Sequence, residues 1–178
     1  MPARKKSAVS AREKKSADAA WERRLAELLP LYGHRNWIVV ADSAYPAQSR
    51  PGIETIFAGG DQVEAVTKVF NAITESTHLR ANIYVDEELA SVAEHAAAGV
   101  LDYRGQLQRT LGPGVHRLPH EQIIAKLDQA AQLVRILIVK TSMTIPYTTV
   151  FFELDCGYWN AENEQRLRNS MKSAKRKK

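Results

Sequence analysis

Four residues of this chain have types and settings suited to proton transfer: His34, Asp42, His120 and Tyr147. His34 sits in the turn Tyr32-Gly33-His34-Arg35-Asn36, the apolar run Trp37-Ile38-Val39-Val40-Ala41 follows, and Asp42 closes that run. An ionisable pair held by a rigid strand is what acid–base chemistry requires. His120 lies in Leu118-Pro119-His120-Glu121, a helix start with proline and glutamate in favourable first-turn places. Tyr147 follows Pro146 at a bend. Taken singly, each has an ordinary structural role: a turn histidine, a loop-capping aspartate, a polar helix start, a packed bend.

The elements that must position these residues are legible from periodicity. Trp21, Leu25, Leu28 and Leu29 fall on one face of an amphipathic helix, which Pro30 and the Gly33 turn stop. Trp37–Ala41 reads as a strand buried on both faces. Residues 46–52, with two prolines and a glycine, read as a loop, and Ile53–Phe57 as a second strand. Asp61 and Glu64 resemble a capping box ahead of Val63, Val66, Phe70 and Ile73 at helical spacing. Residues 82–85 give a third strand and 89–111 a long alanine-rich helical stretch with a break near Gly99. Another helix opens at His120, and strands follow at 134–139 and 148–154. Strands alternating with helices predict a single α/β layered domain with a largely parallel central sheet flanked by helices. Ligands in such sheets bind beyond the strand ends. Five residues of strand span about 16 Å, so His34 and Asp42 are expected at opposite ends of one strand. A site assembled from two subunits removes that difficulty.

Composition bounds the rest. The chain has 178 residues, 44% apolar and 25% charged, as in an ordinary globular protein with a real core. Its apolar stretches are too short to cross a bilayer, and the N-terminus lacks the apolar core of a secretory signal, so a cytoplasmic protein with no membrane partner is expected. Cys156 is the single cysteine and cannot form an internal disulfide. No histidine pair has the helical metalloprotease form His-Glu-x-x-His: His116 and His120 are four apart, but Gly-Pro-Gly precedes them and Pro119 lies between, so no metal site is expected. The formal charge of +5 is unevenly spread. Residues 1–15 and 166–178 together hold thirteen basic residues and one acidic, leaving 12 basic against 19 acidic elsewhere. The reading is a basic disordered tail over 1–15, a domain over 16–160, and a basic tail over 161–178. No aromatic residues interleave with the tail charges, which favours solvated ends over arms that bind nucleic acid.

Three segments in order carry a family resemblance. The first, Gly33-His34 through Asp42 to Pro46, resembles the pattern G-H-x-x-x-I-V-I-A-D-A-x-x-P of the D-ribose pyranase and L-fucose mutarotase family. The second is Leu118-Pro119-His120-Glu121, similar to that family's Leu-Ser-His-Glu-Glu-Phe. The third runs from Val139 to Phe152 and is similar to I-x-T-G-E-x-x-P-Y-x-N-x-I-L, with Thr141, Pro146 and Tyr147 in register. The resemblance covers residues 20–158. It implies a D-ribose pyranase-like fold, His34 as the catalytic acid/base, and Asp42, His120 and Tyr147 as its partners. Thr141, Met143 and Thr149 are the implied substrate-binding positions. Ser142 and Met143 replace the family's glycine and glutamate, and Thr149 replaces its asparagine, so sugar recognition is expected to differ.

The implied activity is interconversion of the cyclic forms of a free monosaccharide by acid–base catalysis without a cofactor. Ring opening takes a proton from the anomeric hydroxyl and gives one to the ring oxygen, and histidine, with a reference pKa of about 6.5, suits that exchange. The resemblance also implies a ring-shaped homo-oligomer with sites at subunit interfaces. The contrasting expectation is a non-catalytic carbohydrate-binding or scaffold protein whose tails contact nucleic acid.

Overall fold

The run Trp37–Ala41 forms β1, and all five of its side chains are buried. The structure, a computed structural model, describes residues 11–175. Around β1 lie β2 (Ile53–Phe57), β3 (Leu79–Asp86), β4 (Val115–Leu118), β5 (Ile136–Lys140) and β6 (Val150–Cys156), in the spatial order β2-β5-β1-β6-β3-β4. The pairings β2–β5, β5–β1 and β3–β4 are parallel. Only β6 is reversed, running antiparallel to both β1 and β3. The nine residues between β5 and β6 are too few for the crossover that a parallel return needs. The α/β layered domain with a largely parallel sheet is therefore what the chain forms.

Alternation along the strands divides the core into two. Ile38, Val40, Leu137, Val139, Val150 and Phe152 face one side. There they meet helices α1 (Ala11–Leu28), α2 (Gln62–Glu75) and α3 (Val100–Leu111). The predicted stripe of Trp21, Leu25, Leu28 and Leu29 is buried in this layer. Trp37, Val39, Ile136, Ile138 and Phe151 face the other side, where α4 (His120–Ala130) covers them with Ile123 and Leu127. An aromatic row continues that cover. Trp37 stacks on Tyr84 at 5.8 Å, Tyr84 lies 5.2 Å from His116, and Lys126 sits over the Tyr84 ring.

Three local expectations need correction. β4 was not anticipated: Val115-His116-Arg117-Leu118 is a short edge strand with exposed polar residues, so it shows no buried run. The stretch 89–111 breaks at Gly99 as expected, but only the part after the break is an α-helix. A 3₁₀ turn occupies Glu87–Ser91, and α3 begins only after Gly99, which adopts φ +89°. The Glu94 carboxylate accepts the N–H groups of Gly99 and Leu101 and so starts α3 late, overriding the helix preference of the alanines before it. β3 extends one residue past the predicted end and includes Asp86. As for the ends, α1 begins at Ala11 and residues 1–10 lie outside the described residues. Residues 161–175 form the exposed helix α5 (Ala161–Lys175), held by pairs such as Arg166–Glu162 and Arg168–Glu164. Among the described residues no helix is long and apolar enough to cross a membrane.

A buried polar knot ties the sheet's strand ends to the helices. Gln62, fully buried at the start of α2, donates to the carbonyls of Val40 (3.2 Å) and Thr148 (2.8 Å) and accepts from the Thr141 hydroxyl. Tyr103 of α3 donates to the same Thr148 carbonyl at 2.6 Å. Asp61 caps α2 by accepting the Glu64 N–H. Gln62→Ala removes two donors and one acceptor from a site closed to water and leaves a void. It is expected to cost about 2–4 kcal/mol, read as a lower urea midpoint with an unchanged slope.

Candidate active site

The C-terminal ends of β1 and β3 lie at the same end of the sheet and frame a pocket of about 320 Å³. Its walls include Asp42, Tyr45, Asp86, His120, Pro146 and Tyr147. Asp42 leaves β1 into a turn in which one carboxylate oxygen accepts the Ala44 N–H (2.8 Å) and the other accepts the Thr149 hydroxyl (3.1 Å). A second tie, from Ser43 N–H to the Met143 carbonyl at 2.8 Å, fixes this turn to the loop after β5.

His120 opens α4. Its backbone N–H is capped by both oxygens of Glu88, at 3.0 and 3.1 Å. Its Nδ1 lies 3.1 Å from Oδ2 of Asp86, close enough for a hydrogen bond but not aligned as one. Asp86 is only 1% exposed. The Tyr147 ring meets His120 edge-on, centroids 5.9 Å apart. Tyr147 holds φ +60° while staying 40% exposed. A non-glycine residue in the left-handed region is strained, and here the strain presents a phenol to the pocket. Tyr45 packs behind the pocket with a buried hydroxyl that has no hydrogen-bond partner among the described residues, and burial pushes its ionisation up to about 12.

Asp86 has the distinctive electrostatics. Burial is the largest influence and lifts its carboxyl from 3.8 to about 6. His120 opposes the rise, while Glu88 and Asp42 add to it.

The structure brings Asp42, His120 and Tyr147 together at the pocket, with Thr149 directly behind Asp42. Thr141 is fully buried in the Gln62 knot, and Met143 packs against the core under α1–α3. His34 lies at the far end of β1. Its Nδ1 is 2.8 Å from Asp155, and its Nε2 accepts from Arg35 at 3.3 Å. Asp155 also takes two hydrogen bonds from Arg80. Burial pushes Asp155 up, but the hydrogen bonds from Arg80, the Cys156 N–H and His34 outweigh it and hold the carboxyl below its usual range. A separate open pocket of about 430 Å³ flanks His34, between Trp37, Lys126 and Glu153. Asp86 and Tyr45 were not anticipated. A signal for Asp86 was present: Ile83-Tyr84-Val85 ends in an aspartate, as β1 is followed by Asp42. Among the described residues no three His, Cys, Asp or Glu side chains gather as a metal site.

Fold and pocket together define an α/β layered protein with a pocket lined by ionisable side chains at its strand ends. The chain belongs to the RbsD / FucU transport protein family, whose sequence model matches residues 15–156. Among solved structures it is similar to Bacillus subtilis RbsD complexed with D-ribose, at TM-score 0.52 and 16% identity, covering 74% of this chain and 91% of that one. It is also similar to the fucose mutarotase in complex with L-fucose from Streptococcus pneumoniae (TM-score 0.49, 16% identity, 74% and 91% covered). FucU from Bifidobacterium longum gives 0.48 at 18% identity, with 75% and 94% covered. The first of these likenesses supports a common fold. A search of curated proteins returns no match.

Asp86 makes stability depend on pH. Its folded value lies above the ordinary one, so the folded state favours the protonated carboxyl. That contribution is whole below about pH 4 and is lost as pH rises through 6, amounting to roughly 3 kcal/mol. Asp86→Asn is expected to gain stability over wild type by about that much between pH 4 and pH 7, measured by urea unfolding at several pH values. A difference that stays flat across the range would show that Asp86 ionises normally.

Proposed function

We propose that this protein is a sugar mutarotase of the pyranase type, interconverting cyclic forms of a free monosaccharide. The observation that carries this reading is the meeting of Asp42, His120 and Tyr147 at one open pocket in a chain of the RbsD / FucU family. The D-ribose in the similar Bacillus subtilis RbsD structure supports a monosaccharide as the occupant.

The chemistry is one reversible ring opening. A base takes the proton of the anomeric hydroxyl, the C–O bond to the ring oxygen breaks, and an acid protonates that oxygen. Reclosure on the other face, or through a different hydroxyl, reverses both transfers. Protons balance and no electrons are exchanged, so a base and an acid on opposite sides of the sugar suffice. His120 and Tyr147 contact the sugar from one chain, and Asp42 orients it.

His34 serves as the principal acid/base and reaches the pocket from a neighbouring copy. Its side chain is 59% exposed and faces outward at the end of the sheet opposite the pocket. The protein therefore works as a homo-oligomer with shared sites.

Saturation-transfer NMR on ribose, fucose and a panel of free sugars tests the activity. Wild type is expected to accelerate exchange of at least one sugar, and His34→Ala and His120→Ala to lose it by about 10²–10⁴-fold. No acceleration from a folded protein would overturn the reading. Sugar binding without exchange would leave a non-catalytic carbohydrate-binding protein. Mixing the two inactive variants with subunit exchange is expected to restore about one quarter of the wild-type rate if each site draws on two copies. No recovery would place His34 outside the site.

A further inference from the structure

Among the described residues two Asp–His pairs stand at opposite ends of the sheet, and they differ in kind. At His34 the carboxylate of Asp155 is shared with Arg80, and the imidazole stands in solvent. At His120 the carboxylate of Asp86 is buried, and His120 Nδ1 lies 3.1 Å from its Oδ2. Neither Asp86 oxygen has an aligned hydrogen-bond partner among the described residues. A buried carboxylate left so poorly compensated is costly.

The surroundings fix which imidazole nitrogen meets the carboxylate. Glu88 anchors the backbone of His120 at the first residue of α4. The carboxylate lies on the interior side of the ring at Nδ1, and the Tyr147 ring packs against it edge-on. Nε2 is the remaining nitrogen, on a side chain that is one-third exposed and lines the pocket. The interior-to-pocket order is therefore Asp86, Nδ1, Nε2, open space.

Charges from every adjoining element act on this pair. Asp42, beyond the end of β1, and Glu88, on the turn after β3, both disfavour a second negative charge at Asp86. On its other side Asp86 borders a cavity of about 150 Å³ under α3, lined also by Arg104 and Arg117. Arg104 is committed to the carbonyls of Leu89 and Ala90. Of the groups acting on Asp86, His120 is the one that favours its charged form, and neither arginine is among them.

We propose that Asp86 is a positioning residue for His120, holding the imidazole with its proton on Nδ1 so that Nε2 faces the pocket as a proton acceptor. This rests on the mutarotase reading and extends it: His120 then exchanges protons with the sugar and does more than hold a hydroxyl. The logic is that of any histidine whose second nitrogen is tied to a carboxylate, where the tie selects the tautomer and stabilises the imidazolium formed in turnover.

Two measurements on the full chain test it. The ¹⁵N chemical shifts of the His120 ring report the tautomer without any sugar. Wild type is expected to show the Nδ1–H form, and both Asp86→Asn and Asp86→Ala to shift it toward Nε2–H. In the exchange assay the same variants are expected to lose about 10- to 100-fold in kcat with KM changed less than about twofold. An unchanged tautomer in the folded variants would overturn the proposal whatever the sugar assay shows. So would a loss confined to KM, which marks a binding or packing role. If wild type exchanges no sugar of the panel, the mutarotase reading fails by itself. The ¹⁵N shifts then still decide whether Asp86 sets the His120 tautomer.

Discussion

The primary amide of Gln62 is the interaction on which the pocket end of the molecule depends. It bridges the last turn of β1, through the Val40 carbonyl, to the residue leading into β6, through the Thr148 carbonyl, while Thr141 after β5 donates to it. Two strands thus end, and a third begins, in one buried hydrogen-bond network that is closed by Tyr103 from α3. Such a network is stabilising only when every member is satisfied, and it then admits a single arrangement. The residues it holds still include Thr148, next to the strained Tyr147, and Val40 and Ala41, just before Asp42. The network's rigidity sustains the positive φ of Tyr147, which isolated chain would relax.

Around that anchor, three carboxylates at one end of the sheet are treated differently by their surroundings. Asp42 is satisfied by a backbone N–H and the Thr149 hydroxyl. Glu88 is satisfied by the N-terminus of α4. Asp86 alone lacks an aligned donor among the described residues, and burial lifts it to about 6. The glutamate of the resembling motif is Met143 here, turned into the core. The carboxylate facing His120 comes instead from the end of β3.

How much of this could be read from sequence follows from where the information lies. β1 was legible because a central strand buried on both faces writes an unbroken apolar run, Trp37 to Ala41. The α2 start was legible because Asp61 caps through local hydrogen bonding. β4 was not, since an edge strand of four half-exposed residues has neither run nor clear alternation. The break at Gly99 was legible, but the loss of helix before it was not, since it depends on the Glu94 side chain reaching Gly99, which no helical period encodes. In the pocket, Asp42, His120 and Tyr147 stood out by motif. Asp86 is defined by burial against His120, a contact across 34 positions that spacing alone does not reveal.

The separation of His34 from the pocket is a matter of element lengths. β1 has five residues and spans about 16 Å. Helix α4, laid across the same face with eleven residues, spans about the same. His120 at its start lines one pocket, while Lys126, Gln129 and Ala130 farther along line the pocket beside His34. One face thus carries a pocket at each end, and no side chain is long enough to join them within a chain. A neighbouring copy that brings its His34 end against the Asp42–His120–Tyr147 end would complete the acid–base set without any change in either fold. It would also cover the face that α4 and the aromatic row of Trp37, Tyr84 and His116 protect alone.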